Sequence, residues 1–257
     1  LGENKLNDSM AMLQNAHEAS PGAIQPLAAL VGVYVQAHQI DKAESFITAL
    51  LEANPKNAEA LVLKGSIDVI KNDQADAEKS FKEAIKEQPK DAVGYRALAG
   101  LYARQKKIDE AIGTIRTGLQ QDPKNFALRL TLAGFLEVKG DFEGAIADYE
   151  GLLKDQPGSL VVANNLASLL ADHRTDKASL DQAAALGVIL KNSPVPQFKD
   201  TLGWLSYRQG NYTAAASMLE TAATQLPGTA LVHYHLGMVY LASGQDTKAT
   251  EQFNKAK

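Results

Sequence analysis

The residues that could support catalysis or metal binding are few and are not arranged as a site. The chain has five histidines and no cysteine, so disulfides and cysteine-ligated zinc are excluded. Two of the histidines, His233 and His235, lie two positions apart in a predicted helix. Residues with this spacing point to different sides of a helix, so their imidazoles cannot share one metal ion. The spacing predicts one packed and one surface histidine.

Short motifs for hydrolysis, nucleotide binding or phosphate binding are also absent from the sequence, including HExxH, GxSxG, GxGxxG and Walker patterns. Lys64-Gly65-Ser66 lacks the glycine-rich loop that a phosphate site needs before it, and it falls inside a predicted helix. The Asp and Glu residues scatter over predicted solvent faces. We therefore expect a non-enzymatic protein with no catalytic residue, metal or cofactor.

Composition limits the other function classes. The 257 residues are 45% hydrophobic and 22% charged, as in folded proteins. A net charge of -4 gives no reason to expect nucleic acid as a partner. No apolar run approaches the ~18 residues that span a bilayer. Because the chain begins at Leu1 and ends within a helical pattern at Lys257, we expect it to be a fragment of a longer protein. The sequence is compatible with a protein of the bacterial periplasm or envelope and with one of the cytoplasm.

The elements that carry these residues follow an interval of 34 residues. Three sets of residues keep this interval, each in its own phase: Pro21, Pro55, Pro89, Pro123 and Pro157; Leu30, Lys64, Leu98, Leu132 and Leu166; Ala43, Ala77, Ala111 and Ala145. A repeat of this length is one helical hairpin, which cannot bury its apolar face alone. Stacked neighbours must therefore supply the core.

The pattern resembles the tetratricopeptide repeat (TPR). The best single match is Tyr95, Leu98, Ala99, Tyr102, Ala111, Ile115 and Pro123. The resemblance covers essentially the whole chain. It implies an all-α fold, a right-handed TPR superhelix (α-solenoid) of about fifteen antiparallel helices.

The register divides this single solenoid into repeats. A half repeat at 1–23 precedes full repeats at 24–57, 58–91, 92–125, 126–159, 160–195 and 196–229, and a truncated repeat occupies 230–257. The fifth repeat is irregular, with about four residues inserted near 172–176 and about two lost around 193–196. Small residues at repeat positions 8 and 20, counted from the first residue of each repeat, are expected to let the two helices approach closely.

In the family that it resembles, first-helix positions 2, 5, 9, 12 and 13 line a concave groove that receives the ligand. Position 9 is glycine or serine in five successive repeats, either because a bound backbone lies close or because helices crowd there. Near the C-terminal end we expect an exposed aromatic surface, although Trp204 could instead only pack against adjacent repeats. The candidate partner-binding residues are Asn164, Asp200, Trp204, Tyr207, Tyr234, Met238, Arg96 and Leu130.

Subfamily patterns narrow the resemblance. A chaperone-tail carboxylate clamp is disfavoured because Ala28 and Gly32 replace its Lys and Asn, and only Asn165 matches a glycosyltransferase-type asparagine ladder. The stretches 164–167, 200–204 and 233–237 resemble bacterial TPR proteins, some of them envelope lipoproteins linked to exopolysaccharide production and PEP-CTERM protein sorting.

Together these features favour a preorganised scaffold that binds an extended peptide or a partner protein along its groove. Two alternatives stay open. The repeats could stack into a homo-oligomeric structural assembly, or the chain could be an accessory domain of a larger enzyme.

Overall fold

The computed structural model describes residues 11–13, 15, 16, 19 and 24–257, and the described residues from 24 onward form fourteen α-helices without a strand. They are α1 Ile24–Gln36, α2 Ile40–Ala53, α3 Ala58–Ile70, α4 Gln74–Glu87, α5 Ala92–Arg104, α6 Ile108–Gln121, α7 Phe126–Lys139, α8 Phe142–Asp155, α9 Leu160–His173, α10 Lys177–Leu190, α11 Pro196–Arg208, α12 Tyr212–Gln225, α13 Ala230–Ala242 and α14 Asp246–Lys255. The all-α solenoid prediction is confirmed, and the further helix expected in 1–23 lies largely outside the described residues.

Local signals explain where the helices begin and end. Polar side chains accept a hydrogen bond from an N–H of the first turn at the start of α3, α4, α8 and α10; these caps are Asn57, Asp73, Asp141 and Asp176. Proline follows two residues after the last residue of α2, α4, α6 and α8, where no helical hydrogen bond is lost.

The turn between the two helices of a repeat needs a left-handed residue at repeat position 15. Gly140, Gly210 and Gly244 take φ of 83°, 79° and 69° there, as expected of turn glycines. In three other repeats the same position holds His38, Asn72 and Lys106, also with positive φ. The turn geometry is therefore kept even where glycine is missing.

Within a hairpin, a glycine at position 8 makes room for a large side chain from the second helix. A Cβ on Gly65 would lie 2.5 Å from the Phe81 ring, and one on Gly237 would lie 2.5 Å from the Phe253 ring. At Gly203 the neighbour is Leu219, at 2.6 Å. Position 8 thus accommodates the side chain of position 24.

The chain divides into two compact units, Leu1–Phe135 and Leu136–Lys257. In the first unit, one core cluster joins Ala43 and Ile47 of α2 to Ala60 and Ile67 of α3. The next cluster joins Phe81 of α4 to residues of α5. Each hairpin therefore completes its core with residues from the following one, as a repeat protein must.

The second unit contains the irregular fifth repeat. Its α9 has fourteen residues, one more than α3 or α5. Ala183 is the seventh residue of α10, whereas the equivalent Ala77 and Ala145 are the fourth residues of their helices. The insertion thus adds one residue to the end of α9 and three residues before Ala183 in α10, whose total length of fourteen residues equals that of α4 and α8. The connection remains the three residues 174–176.

Candidate functional site

Trp204 is a buried structural residue, and the expectation of an exposed tryptophan is wrong. Its side chain is only 7% exposed. The indole stacks on His235 of α13 and on Tyr207 of α11, with ring centroids 4.2 Å and 4.6 Å away. Its Nε1–H donates a 2.6 Å hydrogen bond to Asp172, which satisfies the one polar atom of the buried ring. Asp172, near the C-terminal end of α9 in the irregular fifth repeat, therefore supplies the partner that holds Trp204 in place.

Arg208, one turn after Trp204, fixes the same segment. Its guanidinium donates to the backbone carbonyls of Ala171 and Arg174, the latter at 2.9 Å. The Ala171 carbonyl lies in the last turn of α9, where backbone acceptors lack helical partners. Trp204 and Arg208 thus anchor the C-terminal end of α9 to α11.

Asp200 is also buried, next to Trp204. It lies 3.0 Å from Nδ1 of His235, whose side chain is fully enclosed. The prediction of one packed and one surface histidine is wrong, because His233 is buried as well. The ring of His233 contacts the Gln252 side-chain oxygen at 2.7 Å and the Pro227 carbonyl at 3.0 Å. Each imidazole has the polar partners that its burial requires.

An exposed apolar face remains on α13. Tyr234 is 45% exposed, Leu231 and Leu241 are exposed and Met238 is half-buried. These four residues, at spacings of three, four and three, lie on one face of the helix, and we call them the α13 stripe. The Tyr234 ring lies 6.5 Å from the Trp204 ring. Tyr207 is half-buried beside Trp204 and extends this surface onto α11.

Leu231 did not stand out in the sequence, because its neighbours Ala230 and Val232 are also apolar. Repeat position 2, implied by the resemblance, was the only signal that distinguished it. Its exposure became visible only when Val232 was placed in the core of the last repeat.

Asn164 belongs to a separate polar group in the second unit. Its Oδ1 is buried without a hydrogen-bond partner among the described residues, and its Nδ2 lies 3.4 Å from Asn165 Oδ1. Asn165 in turn contacts the Tyr149 hydroxyl, which donates to Glu137. Burial raises the pKa of the Glu137 carboxyl above its ordinary value, and the Tyr149 hydrogen bond partly opposes that increase.

The remaining two candidates, Arg96 and Leu130, lie in the first unit. Arg96 is exposed on α5, and Leu130 is half-buried on α7. The structure therefore brings together Trp204, Tyr207, Tyr234 and Asp200 with His235 in the second unit, whereas Arg96 and Leu130 belong to the first.

The glycines at position 9 face open space. A Cβ on Gly32 or Gly100 would have no neighbour within 4 Å. Crowding between helices is therefore the wrong explanation for these glycines, and room above the helix backbone is what they provide.

No three His, Cys, Asp or Glu side chains come together as a metal site within the described part of the chain. The described helices also include none that has both the length and the apolar character to cross a membrane.

Comparisons with known proteins agree with this architecture. One family model described as "Tetratricopeptide repeat" matches residues 1–67 and 71–133, and a second with the same description matches 201–257. The chain is 27% identical over 188 residues to the TPR repeat-containing protein PA4667 of Pseudomonas aeruginosa, and 23% identical over 216 residues to the BBSome complex member BBS4 of Bos taurus. These matches cover 73% and 84% of this chain but only 30% and 34% of the relatives.

Solved structures show the same fold. A chain of the APC/C hetero-tetramer Cut9–Hcn1 superimposes with a TM-score of 0.71 at 15% identity, covering 98% of this chain and 49% of that one. PilW, a type IV pilus biogenesis factor, gives a TM-score of 0.60 at 18% identity, covering 81% and 96%. Family models of the repeat cover more than half of the sequence, and the structure shows the paired helices that this repeat requires. The chain therefore belongs to the tetratricopeptide repeat family.

Proposed function

We propose that the chain is a non-enzymatic scaffold that binds an extended peptide or a partner protein through the α13 stripe and Tyr207. The observation that carries this proposal is the exposed apolar face of α13, which falls at positions 2, 5, 9 and 12 of its repeat. In the TPR family these positions face a ligand. TPR proteins are in general protein-interaction scaffolds.

The stripe has the composition of a recognition surface. Tyrosine and methionine are enriched at protein interfaces, because they offer large contact areas and, for tyrosine, few rotatable bonds. Tyr234 presents its ring at the surface, and the buried Trp204 beside it limits its movement. A partner would therefore meet a surface that needs little ordering on binding.

The test begins with affinity capture of a partner and continues with a purified segment of that partner. Trp204 is the only tryptophan of the chain, and its contacts with Tyr207 and Tyr234 make its emission sensitive to a ligand on this surface. Titration of the segment should shift that emission. Tyr234→Ala should weaken binding by about 2 kcal/mol or more if it is a hot spot.

Matched aliphatic variants distinguish binding at this surface from non-specific binding to exposed apolar side chains. Leu241 and Ile189 are exposed to similar extents, but Ile189 lies on α10, the second helix of its repeat. Leu241→Ala should weaken binding, and Ile189→Ala should not. If Ile189→Ala and Leu241→Ala behave alike, or Leu130→Ala alone abolishes binding, the site lies elsewhere.

We also propose that the protein acts in the bacterial envelope or in a protein-sorting machinery. The support is the resemblance of 164–167, 200–204 and 233–237 to bacterial TPR proteins, together with the similarity to a Pseudomonas aeruginosa protein. Fractionation of the source cells tests it: recovery of the parent protein only in the cytoplasmic fraction would contradict this setting.

A further inference from the structure

A second surface cleft, in the first unit, has a different chemistry from the α13 stripe. It has a volume of about 300 Å³ and lies between α3 and α5. Val69 and Ile70 of α3 form one side, and Arg96, Gly100, Leu101 and Arg104 of α5 form the other. The volume is at the lower end of the range for specific ligand pockets, about 300–1,000 Å³.

The charges that line the cleft are both positive. Among the described residues that line it, Arg96 and Arg104 are the only charged ones, and none carries a carboxylate. Neither guanidinium has an ion pair or hydrogen bond within the described part of the chain. Five lysines of the same unit do form ion pairs, as Lys71 does with Glu44 and Lys82 does with Glu78. The cleft therefore holds two positive charges that no described side chain of the first unit pairs with.

The two arginines lie along one face of α5, with Gly100 midway between them. Their separation of eight residues corresponds to ~12 Å along the helix axis. A Cβ at Gly100 would have no neighbour within 4 Å, so no side chain covers the helix backbone between the two guanidiniums. An extended chain advances ~3.3 Å per residue, so side chains four residues apart are ~13 Å apart. Such a segment can place one carboxylate near each arginine.

Apolar side chains line the space between the charges. Ile70 is 46% exposed, and Val69 and Leu101 lie beside it in the same cleft. An aliphatic side chain in the middle of the bound segment would cover this surface. The arrangement selects a segment with two acidic residues four positions apart and an aliphatic residue between them.

We infer that the cleft between α3 and α5 is a binding site for an extended acidic segment of a partner protein, in which Arg96 and Arg104 pair with Asp or Glu side chains. The site goes beyond the function proposed above, because it lies in the first unit and shares no residue with the α13 stripe. Charge-assisted hydrogen bonds from arginine to carboxylate supply its specificity.

The probe for this site is a seven-residue peptide, Gly-Asp-Ser-Val-Ser-Asp-Gly, acetylated, amidated and labelled with an uncharged fluorophore. All its charge comes from the two aspartates. Its partner probe carries Asn in place of both Asp residues. Fluorescence anisotropy of each peptide is measured against the full 257-residue chain at about 50 mM and about 300 mM salt.

We expect the Asp peptide to bind with a dissociation constant below about 1 mM and at least about tenfold more tightly than the Asn peptide at low salt. High salt should weaken this binding, because the ion pairs are at the surface. Arg96→Gln and Arg104→Gln should each weaken it by about fivefold or more. Arg116→Gln is the matched control, since Arg116 is an exposed arginine on α6 of the same repeat, and it should change nothing.

The site is overturned if the Asp peptide does not bind, if the Asn peptide binds equally well, or if Arg116→Gln weakens binding as much as the two cleft variants. Tyr234→Ala should leave the affinity for this probe intact. Loss of probe binding in Tyr234→Ala would place the acidic segment at the α13 stripe and would also overturn the site. Failure of the α13 stripe in its own test leaves these measurements unaffected, so the two proposals fail separately.

Discussion

Two glycine-to-alanine substitutions test the packing of the repeat most directly. Gly65 occupies repeat position 8 in α3, and Gly100 occupies position 9 in α5. Both lie in helix interiors, so alanine gains about 1 kcal/mol of helix propensity at each. The two positions differ in what the added methyl group meets.

At Gly65 the new Cβ would approach the Phe81 ring to between 2.5 and 3.0 Å at three ring atoms. Phe81 is buried in the core cluster of its repeat, so the ring cannot move aside without disturbing its neighbours. Overpacking of this kind costs about 1–3 kcal/mol. At Gly100 there is no neighbour within 4 Å, and that cost is absent. Because the propensity gain is common to both variants, the free energies of unfolding should differ by about 1–3 kcal/mol, with Gly100→Ala the more stable.

Urea denaturation followed by far-UV circular dichroism measures this difference. Gly100→Ala should unfold at a urea concentration equal to or above that of the parent chain, and Gly65→Ala at a lower one. Gly203→Ala and Gly237→Ala repeat the test, because their Cβ atoms would meet Leu219 and Phe253 at 2.6 and 2.5 Å. If Gly100→Ala is the more damaging change, the assignment of packing and open positions is wrong by one residue.

Four further changes have definite expected outcomes. Gly140→Ala should destabilise the chain by about 1–2 kcal/mol in the same urea assay, because its φ of 83° is costly for a residue with a Cβ. Ala111→Leu should cost about 1–3 kcal/mol by overpacking, since Ala111 is fully buried between helices. Trp204→Ala should cost about 3–5 kcal/mol through the cavity it leaves, and an unchanged urea midpoint would show that the indole is not part of the core. Glu137→Gln should raise stability at pH 8 more than at pH 4.5. Burial raises the folded pKa of this carboxyl, so the folded chain binds the proton more tightly than the unfolded one, and stability falls as pH rises from about 4.5 through the folded pKa. Urea midpoints of the variant and the parent chain that differ equally at both pH values would contradict this.

Some features of the fold follow from short stretches of sequence, because their causes act within one turn of helix. A proline two residues after α4 prevents the helix from continuing, and Asp73 caps the N-terminus of the same helix, without help from the rest of the chain. Gly140 marks a turn because its backbone needs a positive φ. The repetition of these signals every 34 residues predicted the paired helices and the family.

The burial of a side chain depends on residues that are far apart in sequence. The sequence-based expectations of an exposed Trp204 and of one surface histidine were therefore wrong. Asp172 is 32 residues from Trp204, and His235 is 31 residues from it, yet both contact the indole and bury it. Asp172 occupies repeat position 13, where other repeats carry Ile70 or Arg104, so the repeat pattern could not predict this contact. Leu231 and Tyr234 remained exposed only because their repeat places Val232 and Leu236 in its core instead.

The sequence by itself determined the helices, their ends and the positions that pack within each repeat, since helix propensity, capping and the 34-residue period are local or repeated properties. Only the tertiary structure decided which of the candidate residues are accessible. It buried Trp204 and Asp200, left Tyr234 at the surface and opened a cleft beside Gly100 between Arg96 and Arg104. The physical reason is that the exposure of a side chain depends on what its neighbours from other helices occupy, and those neighbours are brought together only when the hairpins stack.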